Sequence, residues 1–207
     1  MFWILIIVLT VLGGGAAAMA VSRRGGRKAL PSGGSKALPG GDQLLLDRTV
    51  RDLRVGDVLT LDGRDFLVEG VVGYDEDGHR WTGGRIVDGS DERWLIVGLE
   101  RTGGAGTRVL TVDRHEIAGY PPESLLLGEV RFSLDKRGTA TCKVTGDVGG
   151  LGNLKSDRPA AHVERCRWWL YSAPGEDTLI VEQWGADYRV LRGKKVSEAT
   201  IDLMPGS

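Results

Sequence analysis

The 207-residue sequence predicts a mainly β, antiparallel domain of two pseudo-repeats, forming a sandwich or a barrel and preceded by one transmembrane helix. Three observations lead there. Short apolar runs alternate with turn dipeptides. Four local features recur in the same order in both halves. An uncharged N-terminal stretch is followed by a basic cluster.

The chain opens with the helix, assigned to residues 1–21. The run FWILIIVLTVLGGGAAAMAV, from Phe2 to Val21, has no charged side chain. As a helix, about twenty residues rise about 30 Å, close to the hydrocarbon thickness of a bilayer. Its second half is small, with Gly13, Gly14 and Gly15; membrane helices accept such residues, whereas in water they weaken a helix. Ala18-Met19-Ala20 fits a signal-peptide cleavage site, but no basic segment precedes the apolar run. The basic residues Arg23, Arg24, Arg27 and Lys28 follow it instead. Positive charge prefers the cytoplasmic side, so the N-terminus is expected outside and the C-terminal domain in the cytoplasm, at the cell membrane.

Residues 22–41 read as a disordered linker rich in Gly, Pro and Ser. It carries a short echo, Lys28-Ala29-Leu30-Pro31 and Lys36-Ala37-Leu38-Pro39. Such composition buries too little apolar surface to fold, and a flexible chain of this length spans roughly 25 Å. The five basic residues before Asp42 are offset later. Removing them from the total of 27 leaves 22 basic against 28 acidic residues, a net charge of −6 for the remainder. The basic stretch suits anionic lipid, while the acidic domain lacks the basic stripe of a nucleic-acid binder.

Residues 42–207 read as the β domain. Val58-Leu59-Thr60-Leu61, Asp62-Gly63 and Asp65-Phe66-Leu67-Val68 form a hairpin signal, because Asp-Gly suits a type I′ turn. Gly70 to Tyr74, Asp77-Gly78 and His79-Arg80-Trp81 repeat the signal. Strand-like runs continue at Arg93 to Val97 and at Thr107 to Val112. Short helical turns are expected near Leu46 to Leu53 and near Pro122 to Leu127.

The repeat is read from four ordered pairs. Val55-Gly56-Asp57-Val58 is echoed by Leu127-Gly128-Glu129-Val130, and a charged turn follows each. Arg80-Trp81 is echoed by Arg167-Trp168, and Trp94-Leu95-Ile96-Val97 by Thr178-Leu179-Ile180-Val181. Two such units can make two packed sheets or one closed barrel, and closure removes exposed edges.

These residues resemble family 4178 of the domains of unknown function. The resemblance rests on the run Leu53 to Leu59, on Arg80-Trp81 and Trp94 to Val97, on Arg167-Trp168-Trp169-Leu170-Tyr171, and on the run Leu179 to Gly185. It spans roughly residues 45–204, a domain-length match. It implies a bacterial protein with no assigned activity and an association with membrane-linked gene sets. It supplies no catalytic residue.

The search for chemistry is mostly negative. Cys142, Cys166 and His162 are too few for a zinc site, since His79 and His115 lie far off in sequence. The glycine-rich run Gly146 to Ser156 lacks the spacing of a phosphate loop. No metal and no cofactor are expected. Five tryptophans, Trp81, Trp94, Trp168, Trp169 and Trp184, together with Glu182, are the candidate contacts for a partner or ligand. Adjacent Trp168 and Trp169 on a strand must face opposite ways, and burial of both between two layers is favoured. The functional expectation is a membrane-tethered, non-enzymatic protein-interaction or accessory module at the bacterial cytoplasmic membrane. The alternatives are a small-ligand-binding β domain, or an enzyme whose site gathers Glu182, Asp57 and His162.

Overall fold

The computed structural model describes residues 48–101, 106–150 and 163–206. The expected transmembrane helix, the linker and His162 lie outside them. Among the described residues no helix is long and apolar enough to cross a membrane.

A 3₁₀ turn, Val50–Asp52, is capped by Thr49 and precedes eleven strands. They are β1 (Val58–Leu61), β2 (Arg64–Glu76), β3 (His79–Asp88), β4 (Asp91–Val97), β5 (Thr107–Asp113), β6 (Ser124–Leu127), β7 (Val130–Gly146), β8 (Val163–Ser172), β9 (Asp177–Trp184), β10 (Asp187–Val196) and β11 (Ile201–Met204). All pairings are antiparallel. Eight strands, in the order β2-β3-β4-β5-β10-β9-β8-β7, close into a barrel because β7 returns to pair with β2. The choice between sandwich and barrel is thereby decided for the barrel.

Local sequence explains the hairpins. Asp62 and Gly63 have φ of 53° and 74°, and Asp77 and Gly78 have 51° and 84°, as type I′ turns require. Two expectations are corrected. The runs on either side of Glu69 are one long strand, bent at a bulge between Val68 and Gly70. The segment ending at Leu127 is strand β6 rather than a helical turn, because its alternate residues Leu125 and Leu127 are buried against strand β7.

The duplication is present, in a different register from the one read in the sequence. Hairpin β1–β2 closes on Leu61 and Arg64, and hairpin β6–β7 closes on Leu127 and Val130. Each long strand then bulges, at Glu69 and at Asp135. Crossing the sheet from the residue after each bulge gives Gly70, Arg85, Trp94 and Leu110 in the first half. The second half gives Lys136, Leu170, Ile180 and Leu191. So Leu59, Leu61 and Phe66 match Leu125, Leu127 and Phe132, and Val55 to Val58 does not match Leu127 to Val130. Both seams of the barrel, β2–β7 and β5–β10, join equivalent strands antiparallel.

The two faces of the strands carry separate cores. Trp94, Ile96, Leu110, Ile180 and Leu191 belong to the barrel interior with Tyr74, Trp81, Trp168 and Trp184. The opposite face of the first half packs Leu95 and Val97 with Leu59, Leu61, Phe66 and, from outside the barrel, Val50, Leu53 and Ile201. The opposite face of the second half packs Leu179 and Val181 with Leu125, Leu127, Phe132 and Trp169. A Cβ at Gly84 would lie 2.2 Å from the Leu53 side chain, so only glycine admits Leu53 there. The ladder position equivalent to Gly84 is Trp169, which fills the space with its own ring.

Candidate functional site in the barrel mouth

All five domain tryptophans are buried, none more than 5% exposed. Trp168 lies in the barrel core and Trp169 in the outer cluster, on opposite faces as alternation demands. Burial of both, the reading favoured from the sequence, is what the structure shows. The same holds for Glu182, which is 2% exposed.

Glu182 organises a buried ionic network of the barrel interior. Its Oε1 accepts from the Tyr74 hydroxyl at 2.8 Å. Its Oε2 accepts from Trp184 Nε1 at 2.9 Å, from Arg189 Nε at 3.0 Å, and also from Arg189 Nη2. The Arg189 guanidinium sits over the Trp94 ring, 3.9 Å from its centroid. Burial pushes the Tyr74 hydroxyl well above its ordinary pKa, and the Glu182 carboxylate adds to the rise. For Arg189 burial works to lower the pKa, but the Glu182 carboxylate together with Tyr74 and Cys166 holds the guanidinium above its usual value. Tyr74 also stacks on Trp81, centroids 5.0 Å apart, and Trp81 meets Trp168 edge-on at 5.6 Å. Three side chains, through four hydrogen bonds, therefore fix the carboxylate, and the carboxylate fixes Arg189.

One donor of this network is left over. Arg189 Nη1 is buried and has no hydrogen-bond partner. The Arg189 side chain lines a cleft of about 780 Å³ at one end of the barrel. Trp94, Trp184 and Tyr188 form apolar wall, Val148 to Gly150 close one side, and Glu92, Asp113, Glu116 and Asp187 set acidic charge around it, against Arg114 and Arg189. Trp81, Trp168 and Trp169 do not line it. Neither does Glu182 itself, which acts from behind Arg189.

Across the barrel the first half carries the equivalent arginine. Arg108 pairs with Ile96 as Arg189 pairs with Glu182, and each stands two residues before its matched leucine, Leu110 or Leu191. Strands β5 and β10 are antiparallel, so the two arginines lie toward opposite ends. Arg108 is fully buried and every guanidinium nitrogen is used. Nε donates to Thr178 Oγ1 at 3.3 Å, Nη1 to the Gly106 carbonyl at 3.0 Å, and Nη2 to Glu100 at 2.6 Å.

Asp57, the other proposed catalytic carboxylate, belongs to a separate network. It accepts from the Arg54 and Gly206 amides at 2.7 and 2.9 Å and from Arg48. It ties the turn before β1 to the C-terminal segment and shares no partner with Glu182. Cys142 and Cys166 are buried free thiols. Burial, with the neighbouring Cys142, pushes the Cys166 thiol well above its ordinary pKa, so it is poorly nucleophilic. Among the described residues no three His, Cys, Asp or Glu side chains gather as a metal site needs.

Residues 54–198 match the model of the family described as Domain of unknown function (DUF4178). The chain belongs to this family. The match covers both halves of the barrel and every residue of the Glu182–Arg189 network. No curated protein and no solved structure matches the chain.

Proposed function

We propose that this family member is a non-enzymatic recognition domain, tethered to the cytoplasmic membrane by residues 1–21, whose ligand enters the cleft beside Arg189. One observation carries the reading. A buried guanidinium nitrogen without a partner costs roughly 1–3 kcal/mol relative to a satisfied one, and Arg189, whose Nη1 is such a nitrogen, lines a cleft large enough for a ligand. The Glu182 network holds that donor in a fixed place before anything binds, which lowers the ordering cost of binding. The chemistry at the site is hydrogen bonding and apolar contact. Among the described residues no nucleophile paired with a base lines the cleft, which supports a binding role over catalysis.

The test uses the full chain labelled with 5-fluorotryptophan. Its ¹⁹F spectrum is titrated with a library of small polar fragments. Fragments that bind are expected to move the Trp94 and Trp184 resonances and leave Trp81 and Trp168 in place. Arg189→Lys keeps a cation beside Glu182 but removes the second terminal nitrogen, and it is expected to weaken such binding about tenfold. Fragments that move no resonance, or that bind equally well to the variant, would exclude the cleft.

A further inference from the structure

Resting on that reading, we infer that the cleft takes a peptide segment of a partner protein, with a main-chain carbonyl on Arg189 Nη1 and a basic side chain at the acidic rim.

The duplicated half shows what this donor takes. Arg108 and Arg189 occupy the same ladder position, and each guanidinium is neutralised by a carboxylate, Glu100 for Arg108 and Glu182 for Arg189. At Arg108 the remaining terminal nitrogen donates to a main-chain carbonyl, that of Gly106. Gly106 ends the connection between β4 and β5, which runs over residues 98–106. The matching connection between β9 and β10 is the two-residue turn Gly185-Ala186. That turn has no residues to spare for folding back, and among the described residues no carbonyl accepts from Arg189 Nη1. One arginine is capped by the chain's own backbone at Gly106, and the other lines a cleft with the same donor unpartnered.

Charge decides between a carbonyl and an anion. Because Glu182 already balances Arg189, the donor has little net positive field to offer a carboxylate or phosphate. Around it the exposed carboxylates of Glu116 and Asp187 make the rim acidic. An anion would meet like charge there. A neutral peptide carbonyl does not, and a lysine or arginine nearby on the same segment gains from it. The walls of Trp94, Trp184 and Tyr188 supply the apolar contact that a peptide side chain needs.

The deciding experiment titrates the fluorotryptophan-labelled full chain with three sets of twelve-residue peptides, lysine- and arginine-rich, neutral glycine-serine-leucine, and glutamate-rich. Basic peptides are expected to move Trp94 and Trp184 and to bind about tenfold tighter than acidic ones. Arg189→Lys should weaken basic and neutral peptides alike. The double variant of Asp187→Asn and Glu116→Gln should erase only the preference for basic peptides. Tighter binding of acidic peptides, or displacement by acetate or inorganic phosphate, would overturn the inference in favour of an anion site. Fragments that move Trp94 and Trp184 while no peptide does would overturn the peptide assignment and leave the cleft as a ligand site. Silence from both would remove the cleft reading as well.

Discussion

At the residue scale the molecule turns on Glu182 and Arg189. A buried ion pair gives little net stability, yet removing one member strands the other and costs about 3–5 kcal/mol. Arg189→Met is therefore expected to lower unfolding free energy by about 3–5 kcal/mol, measured from urea midpoints. Adding Glu182→Gln removes the stranded charge; the amide oxygen can accept from the Trp184 indole and the amide NH2 can donate to the Tyr74 hydroxyl oxygen. The double variant should recover part of the loss. A double variant no more stable than Arg189→Met alone would show that charge is not the source of the cost. Glu182 was legible in the sequence as a polar residue between apolar neighbours, but its role was not. Its partners Tyr74 and Arg189 stand 108 and seven residues away, and only the barrel brings Tyr74 to it. Arg189 went unnoticed although it carried a signal. Arg108-Val109-Leu110 and Arg189-Val190-Leu191 are the same tripeptide, each placing an arginine and a leucine on the inner face of a strand.

At the element scale the fold depends on two seams and two outer clusters. The β5–β10 seam brings Gly193 opposite Leu110. A Cβ at Gly193 would stand 2.1 Å from the Val109 carbonyl oxygen and 2.9 Å from the Leu110 Cα. Both obstacles are backbone, so neither can rotate away. Gly193→Ala is expected to separate the strands locally and lower the midpoint of thermal unfolding, with loss of amide protection along β5 and β10 by hydrogen exchange. Unchanged protection there would contradict the close approach. The hairpins were readable because Asp-Gly turns and alternation are local. The register of the repeat differs from the one that the charged turns and tryptophan pairs suggest. Those are set by loop chemistry and by filling, and the two halves fill differently, with Leu53 over Gly84 in one and Trp169 in the other. The conserved spacing between halves, Leu59-x-Leu61 to Phe66 and Leu125-x-Leu127 to Phe132, belongs to the hairpin that bends around each bulge.

At the scale of the whole molecule the proposal joins a membrane segment to a barrel whose mouth is a recognition site. Residues 1–21 and the basic flank make the orientation testable by itself. In inside-out membrane vesicles added protease should digest the C-terminal domain, whereas right-side-out vesicles should protect it. Digestion in right-side-out vesicles would reverse the orientation and place the barrel outside the cytoplasm.

The sequence by itself determined the strand-rich class, the turns, the duplication and the family resemblance. These depend on neighbours along the chain: turn dipeptides, period-two alternation and recurring motifs. Tertiary structure alone decided three things. The sheet closes as a barrel because β7 reaches β2, a pairing of residues about seventy positions apart. The tryptophans are buried because closure covers the inner faces of the strands and the outer hairpin segments cover the other face, where Trp169 lies. The unpartnered nitrogen of Arg189 exists because one half has a long connection over its arginine and the other has a two-residue turn. That difference in length is printed in the sequence, but its consequence appears only when the two ends of one barrel are compared.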